Sequence, residues 1–207
     1  MNLFNKFKQW QFSKNRLEAF SDGVFAIVIT LLVLELKLPH IEHTDNVQEI
    51  VDGLKAIAPK FFGWVISFFF VALMWLHHHS IMHMSTTSDY GVVWINNILL
   101  FFICLLPFPT AMMGEHPMQP LLVTIWGTTV SITTLVLTWL YYYCSNNYLD
   151  NDFDKKSVMK HVRLSLLAGP TLYFAAALLA WISVYIAYAI YLFVPLLYIL
   201  PLDKRKG

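Results

Sequence analysis

Between Arg163 and Asp203 the chain runs for 39 residues, Leu164–Leu202, without a charged side chain. At the helical rise of ~1.5 Å per residue this makes roughly 60 Å of helix, about twice the ~30 Å hydrocarbon core of a bilayer. Such a run divides into two membrane spans, and the division falls near Trp181–Ser183. Four further stretches qualify or nearly do: Ala19–Leu36, Phe61–Leu76, Ile98–Met113 and Leu121–Cys144. The first is the weakest, interrupted by Ser21, Asp22, Thr30 and Glu35. Pro107 and Pro109 break the third near its C-terminal end. The expectation is an all-α polytopic membrane protein, one domain over 1–207. Its six spans lie at roughly 17–38, 54–78, 91–113, 119–144, 158–181 and 184–202.

Charge placement orients these spans. Only 13% of residues are charged against 57% hydrophobic, where soluble domains carry about a quarter charged. With both termini cytoplasmic, eleven of the fourteen basic residues lie inside. They are Lys6, Lys8, Lys14 and Arg16, then Lys155, Lys156, Lys160 and Arg163, then Lys204, Arg205 and Lys206. Lys37, Lys55 and Lys60 alone fall outside, in the first loop. This positive-inside asymmetry favours an even span count and a multi-pass protein of the cell membrane. On this plan His77–His83 and Asp150–Asp154 are cytoplasmic loops, and Lys37–Asp52, with His40 and His43, is external. Met1–Arg16 is too polar for a signal peptide.

The composition excludes several classes. No basic stripe with interleaved aromatics is present, so nucleic acid is not an expected partner. Cys104 and Cys144 both sit in apolar runs and read as small core residues. No nucleophile–base pair or Gly-rich phosphate loop occurs, and no enzyme is expected. His79 and His83 stand at i, i+4, as two metal ligands would, but no H-E-x-x-H or nearby Cys accompanies them. No metal or other cofactor is expected. Titration of the His77–His83 cluster is a second reading of those histidines. Thr124, Thr128, Thr129, Thr133, Thr134 and Thr138 suit bonds to the preceding turn or to a neighbouring helix. Trp139, Tyr141, Tyr142 and Tyr143 read as an interfacial belt, and Pro170 and Pro195 as helix ends or kinks.

The first span holds the unusual residues. Asp22 is costly in a membrane unless paired or hydrated. Arg16 lies six residues earlier and about 120° around the helix, so the two do not form a same-face pair. Ile27, Leu31 and Leu34 follow at i, i+4, i+7, a stripe that suits helix packing as well as a pore lining.

Arg16-x-x-x-Phe20-Ser21-Asp22 and the run Gly23–Glu35 after it resemble the signature of the endolysosomal potassium channel family, transmembrane protein 175 type. The bacterial six-helix members are the nearest in pattern. Trp75-Leu76 before His77-His78-His79 is similar to the family's second-helix segment, and Trp94-Ile95-Asn96 and Leu106–Ala111 to its third helix. Residues 16–111 carry the resemblance; the remainder matches as hydrophobic spans alone.

The resemblance implies a homotetramer in the lipid bilayer with one central pore lined by the first helix of each subunit. It implies a constriction of branched aliphatic side chains at Ile27, Leu31 and Leu34, with Thr30 as a polar layer. Arg16, Phe20, Ser21 and Asp22 are then packing residues, held by Trp75, Asn96 and one histidine. His78 is the choice among the three, with His77 and His79 left open by the register. The permeant ions are monovalent cations, potassium with modest preference over sodium. Gly127-Thr128-Thr129-Val130 is only a superficial echo of a carbonyl filter, and no arginine-rich voltage-sensing span exists. Two alternatives stand beside this: a secondary transporter coupled through Asp22, and a histidine-based membrane metalloprotein.

Overall fold

The computed structural model describes residues 13–37 and 46–197. Lys6, Lys8, His40, His43 and Lys204–Lys206 lie outside them, as do the expected end of the first span at residue 38 and the end of the sixth after residue 197. The described chain is almost wholly helical: α1 (Lys14–Val33), α2 (Val47–Met84), α3 (Tyr90–Leu105), α4 (Pro107–Glu115), α5 (Pro120–Asn147), α6 (Lys155–Leu179) and α7 (Val184–Leu197). By length and composition α2, the continuous Tyr90–Glu115 pair, α5 and α6 are apolar enough to cross a membrane. α1 and the 14-residue α7 are not in that group.

Local chemistry sets most boundaries. The Asn46 side chain caps α2 by accepting from Gln48 N at 3.1 Å, and Asp154 caps α6 from Ser157 N at 2.9 Å. Pro107 and Pro120 open α4 and α5, where a missing N–H costs nothing. At Leu106 the chain keeps right-handed helical torsions, so the prolines divide the third span without turning it back. The break between α6 and α7 falls at residues 180–183.

One expected loop is a helix. α2 runs unbroken for 38 residues, roughly 57 Å, and carries His77–His83 in its last two turns. His77, His78, Ile81, Met82 and Met84 are buried there, so packing extends the helix past the point where polarity predicts a loop. Lys55 and Lys60, assigned to the first loop, also lie on α2. Two smaller expectations change as well: Cys104 is exposed and only Cys144 is core, and Tyr141 is buried and not part of a belt. Pro170 and Pro195 lie inside α6 and α7, not at their ends.

Two halves meet along α5. α5 packs most extensively on α6, while α1 lies on α2 and α3. Thr129, Thr133, Thr134 and Thr138 donate to the preceding turn of α5. Thr124 and Ser131 instead reach the Ala177 and Pro170 carbonyls of α6, at 2.9 and 2.7 Å. An aromatic cluster of Phe70, Trp126, Tyr173 and Tyr191 fills the space between α2, α5, α6 and α7. Gly127 makes this close approach possible. A Cβ there would collide with the Tyr191 hydroxyl and lie 2.7 Å from its Cζ and 3.0 Å from Ala177 Cβ. Gly127→Ala is expected to lower the melting temperature of the purified protein by about 3 to 10 °C, from an overpacking cost of ~1–3 kcal/mol. Circular dichroism or tryptophan fluorescence on heating measures it.

At the end of the molecule that holds the start of α1, the turns are tied together. Lys14 Nζ donates to the Ser85 carbonyl at 2.8 Å, and Thr86 N and Asp150 N join the α2–α3 and α5–α6 connections at 2.8 and 2.9 Å. Buried Asp89 caps α3 from Val92 N at 2.8 Å and accepts from the Tyr143 and Tyr148 hydroxyls at 2.8 and 2.7 Å. Burial, then the Asp89 carboxylate, pushes the Tyr148 phenol far above its ordinary range.

The α1 stripe and its polar anchor

α1 shows two faces to its surroundings. Leu17, Ser21, Phe25, Val28 and Leu32 are buried against α2 and α3. On the opposite arc Ile27 is 59% exposed, Leu34 60%, Phe20 57% and Leu31 43%. At about 100° per residue, Arg16, Phe20, Ile27 and Leu34 fall within roughly 40° of one another, and Leu31 lies about 40° from Ile27. Thr30 flanks the stripe, its hydroxyl donating to the Ile27 carbonyl at 2.7 Å. An exposed aliphatic row this long on a single chain faces lipid, another copy, or a shared conduit.

The buried side of α1 is fixed by polar contacts. Ser21 Oγ donates to the Leu17 carbonyl at 2.9 Å and accepts from Asn96 Nδ2 at 3.0 Å. Asn96 Oδ1 faces His78 Nε2 at 2.8 Å. With the amide so placed, His78 carries its proton on Nε2 and its ring packs on Phe25, centroids 5.6 Å apart. Ser21, Asn96 and His78 are 0%, 0% and 1% exposed, so one buried chain of hydrogen bonds joins α1, α3 and α2.

Asp22 belongs to a second, outer contact. Trp75 Nε1–H donates to Asp22 Oδ1 at 2.8 Å, and His79 stacks on the Trp75 ring at 5.9 Å and 25°. Asp22 lies about 140° around α1 from Ile27, away from the aliphatic row. Arg16 and Phe20 join neither contact; both are exposed, and Arg16 has no described hydrogen-bond or ion-pair partner. Of the three consecutive histidines, then, His78 meets Asn96, His79 covers Trp75, and His77 faces α5 and α6 beside Thr134, Thr138, Tyr141 and Ser165. His83 packs edge-on against Phe153. Among the described residues no group of three or more His, Cys, Asp or Glu is placed to hold a metal ion.

One polar cluster has no counterpart in the sequence reading. Ser67 of α2 and Thr110 of α4 are 2.8 Å apart, and Trp126 Nε1–H of α5 reaches them at 3.0 and 3.2 Å. The signal was present as Ser67 inside an otherwise apolar run, and a polar residue in such a run needs a partner on another helix.

The family model for the endosomal/lysosomal potassium channel TMEM175 matches residues 16–107, the part that holds both anchors and the aliphatic row. A protein of Chamaesiphon minutus described as a potassium channel is 32% identical over 182 residues, 86% of this chain and 89% of the relative. The human endosomal/lysosomal proton channel TMEM175 is 34% identical over 113 residues, which is 52% of this chain and 22% of that protein. The crystal structure of a lysosomal potassium-selective channel TMEM175 homologue from Chamaesiphon minutus superposes with a TM-score of 0.80 at 29% identity, covering 92% of this chain and 98% of that one. This chain belongs to the TMEM175 family of ion channels.

Proposed function

We propose that this chain is one subunit of a potassium-permeable cation channel: a homotetramer of six-span subunits, residues 1–207 forming one channel domain. α1, α2, the α3–α4 pair, α5, α6 and α7 are the six spans, and both termini face the cytoplasm of the cell membrane. α1 lines the central pore. Ile27, Leu31 and Leu34 form the constriction, and Thr30 supplies a polar layer. Arg16, Phe20, Ser21, Asp22, Trp75, His78 and Asn96 pack the base of the pore helix, and Arg16 and Phe20 act across the subunit boundary.

The observation that carries this reading is the exposed row Ile27, Leu31, Leu34 on a helix whose other side is pinned by buried Ser21. Four copies of such a row, turned inward, make stacked rings of branched aliphatic carbon. A ring of that kind offers no ligands to an ion. It discriminates by how readily each cation sheds or deforms its hydration shell, and it gates by dewetting. Potassium is hydrated less tightly than sodium and passes more readily, so the preference is real but modest. The Asp22 contact with Trp75 speaks against a transporter coupled through that carboxylate, since Asp22 is turned away from the row and already bonded.

Bi-ionic reversal potentials of the purified protein in planar bilayers test the reading. A potassium-to-sodium permeability ratio above one is expected, with currents too large for a carrier cycle. A ratio near zero overturns potassium conduction.

A further inference from the structure

Beyond Leu34, Glu35 lines a cavity of about 10 Å³ together with Leu32, Lys60, Trp64, Thr110 and Glu115. The indole Nε1 of Trp64 is buried and has no hydrogen-bond partner among the described residues. An N–H left unpaired in a dry interior costs more than immobilising a water, so a donor in this position calls for an acceptor. Most polar groups around the cavity are already engaged. Lys60 Nζ holds Glu115 Oε1 at 3.0 Å, and Thr110 donates to the Leu106 carbonyl at 2.8 Å while accepting from Trp126 at 3.2 Å. The Glu35 carboxylate, exposed at the edge of the cavity, has no described side-chain partner and is the acceptor that the end of α1 brings to it; Glu115 Oε2 is the competing carboxylate oxygen in the lining.

We propose that Glu35 is a positioning residue for the far end of the pore helix: its carboxylate takes the Trp64 Nε1–H through one bridging water and so fixes α1 against α2 beside Leu34. The cavity volume sits at the lower limit for a single water. Because Glu35 follows Leu34 directly, a shift in this contact moves the last aliphatic ring. The inference rests on α1 being the pore helix.

A double-mutant cycle on the full-length protein tests it. Trp64→Phe keeps an aromatic ring and removes the N–H. Glu35→Ala removes the acceptor, Glu35→Gln retains a carbonyl oxygen, and Glu115→Gln serves as control. Trp64→Phe and Glu35→Ala are each expected to lower the melting temperature by about 2 to 4 °C, with the double variant no lower than either. Glu35→Gln should stay with the parent, and Glu115→Gln should add independently to Trp64→Phe. Unitary conductance should shift to a common value in Trp64→Phe, Glu35→Ala and their double. Additive melting shifts for Trp64 and Glu35 overturn the contact, and coupled melting shifts with parental conductance overturn its positioning role. If no variant and no parent conducts, the channel reading itself fails while the melting cycle still decides the contact.

Discussion

Replacing Ile27 with alanine is expected to raise the unitary potassium conductance several-fold and bring the potassium-to-sodium permeability ratio toward one. In the proposed tetramer the change removes three carbons from each of four inward-facing side chains, so the proposed ring both widens and wets. A wider ring lets each cation keep more of its first-shell water, and the penalty that separates sodium from potassium shrinks with it. A barrier lowered by roughly 0.7–1.4 kcal/mol multiplies the rate of ion passage by about 3 to 10. Leu31→Ala, about 40° from Ile27 around the helix, is expected to act in the same direction and more weakly. Phe25→Leu, on the buried face, should leave the permeability ratio unchanged while lowering stability. Single-channel recording of the four proteins separates these outcomes. Parental conductance and ratio in both Ile27→Ala and Leu31→Ala would remove α1 from the pore.

Much of this arrangement was legible in the sequence because membrane helices are constrained by length and charge. A 39-residue uncharged run makes about twice the helix that a ~30 Å layer accommodates, and the helix breaks between Leu179 and Val184. The limits of α2 were not legible in the same way. A run of four histidines within seven residues reads as the polar margin of a span. Whether it continues as helix depends on what other elements press on it: Ile81 lies beside Thr134 and Leu137 of α5, and the Met84 carbonyl accepts from Asp150 N. The same limit applies to individual polar groups. Periodicity puts Ser21 and Asp22 on different parts of α1, but not which of them meets Asn96 and which meets Trp75. Nor does a lone glutamate near the end of the first span announce a tryptophan nearly thirty residues later; the two come to line one cavity only where α1, α2 and α4 converge.

Asn96→Ala is expected to have the largest effect on folding and assembly of any single substitution at the base of α1. Asn96 is fully buried and holds two other helices at once, donating to Ser21 Oγ at 3.0 Å and accepting from His78 at 2.8 Å. Hydrogen bonds between helices in membranes average only about 0.6 kcal/mol each, because partners are available in the unpacked state too. Alanine does more than delete two bonds. It strands the His78 N–H against Phe25 in an interior with no replacement acceptor among its described contacts, and an orphaned buried donor costs ~1–3 kcal/mol. It also leaves a gap where the amide stood. A total of about 2–4 kcal/mol corresponds to a fall of roughly 4 to 16 °C in melting temperature for a chain of this length. Ser21→Ala should cost less, since it removes one acceptor and leaves the Asn96–His78 bond in place. Trp75→Phe should cost least, because its bond to Asp22 lies on the exposed side of the chain. The order Asn96, Ser21, Trp75 can be read from thermal unfolding followed by size-exclusion chromatography. Only the first is expected to lose the proposed tetramer at a temperature where the parent would keep it. An Asn96→Ala protein that melts and elutes with the parent would mean the anchor is not what holds α1 in place.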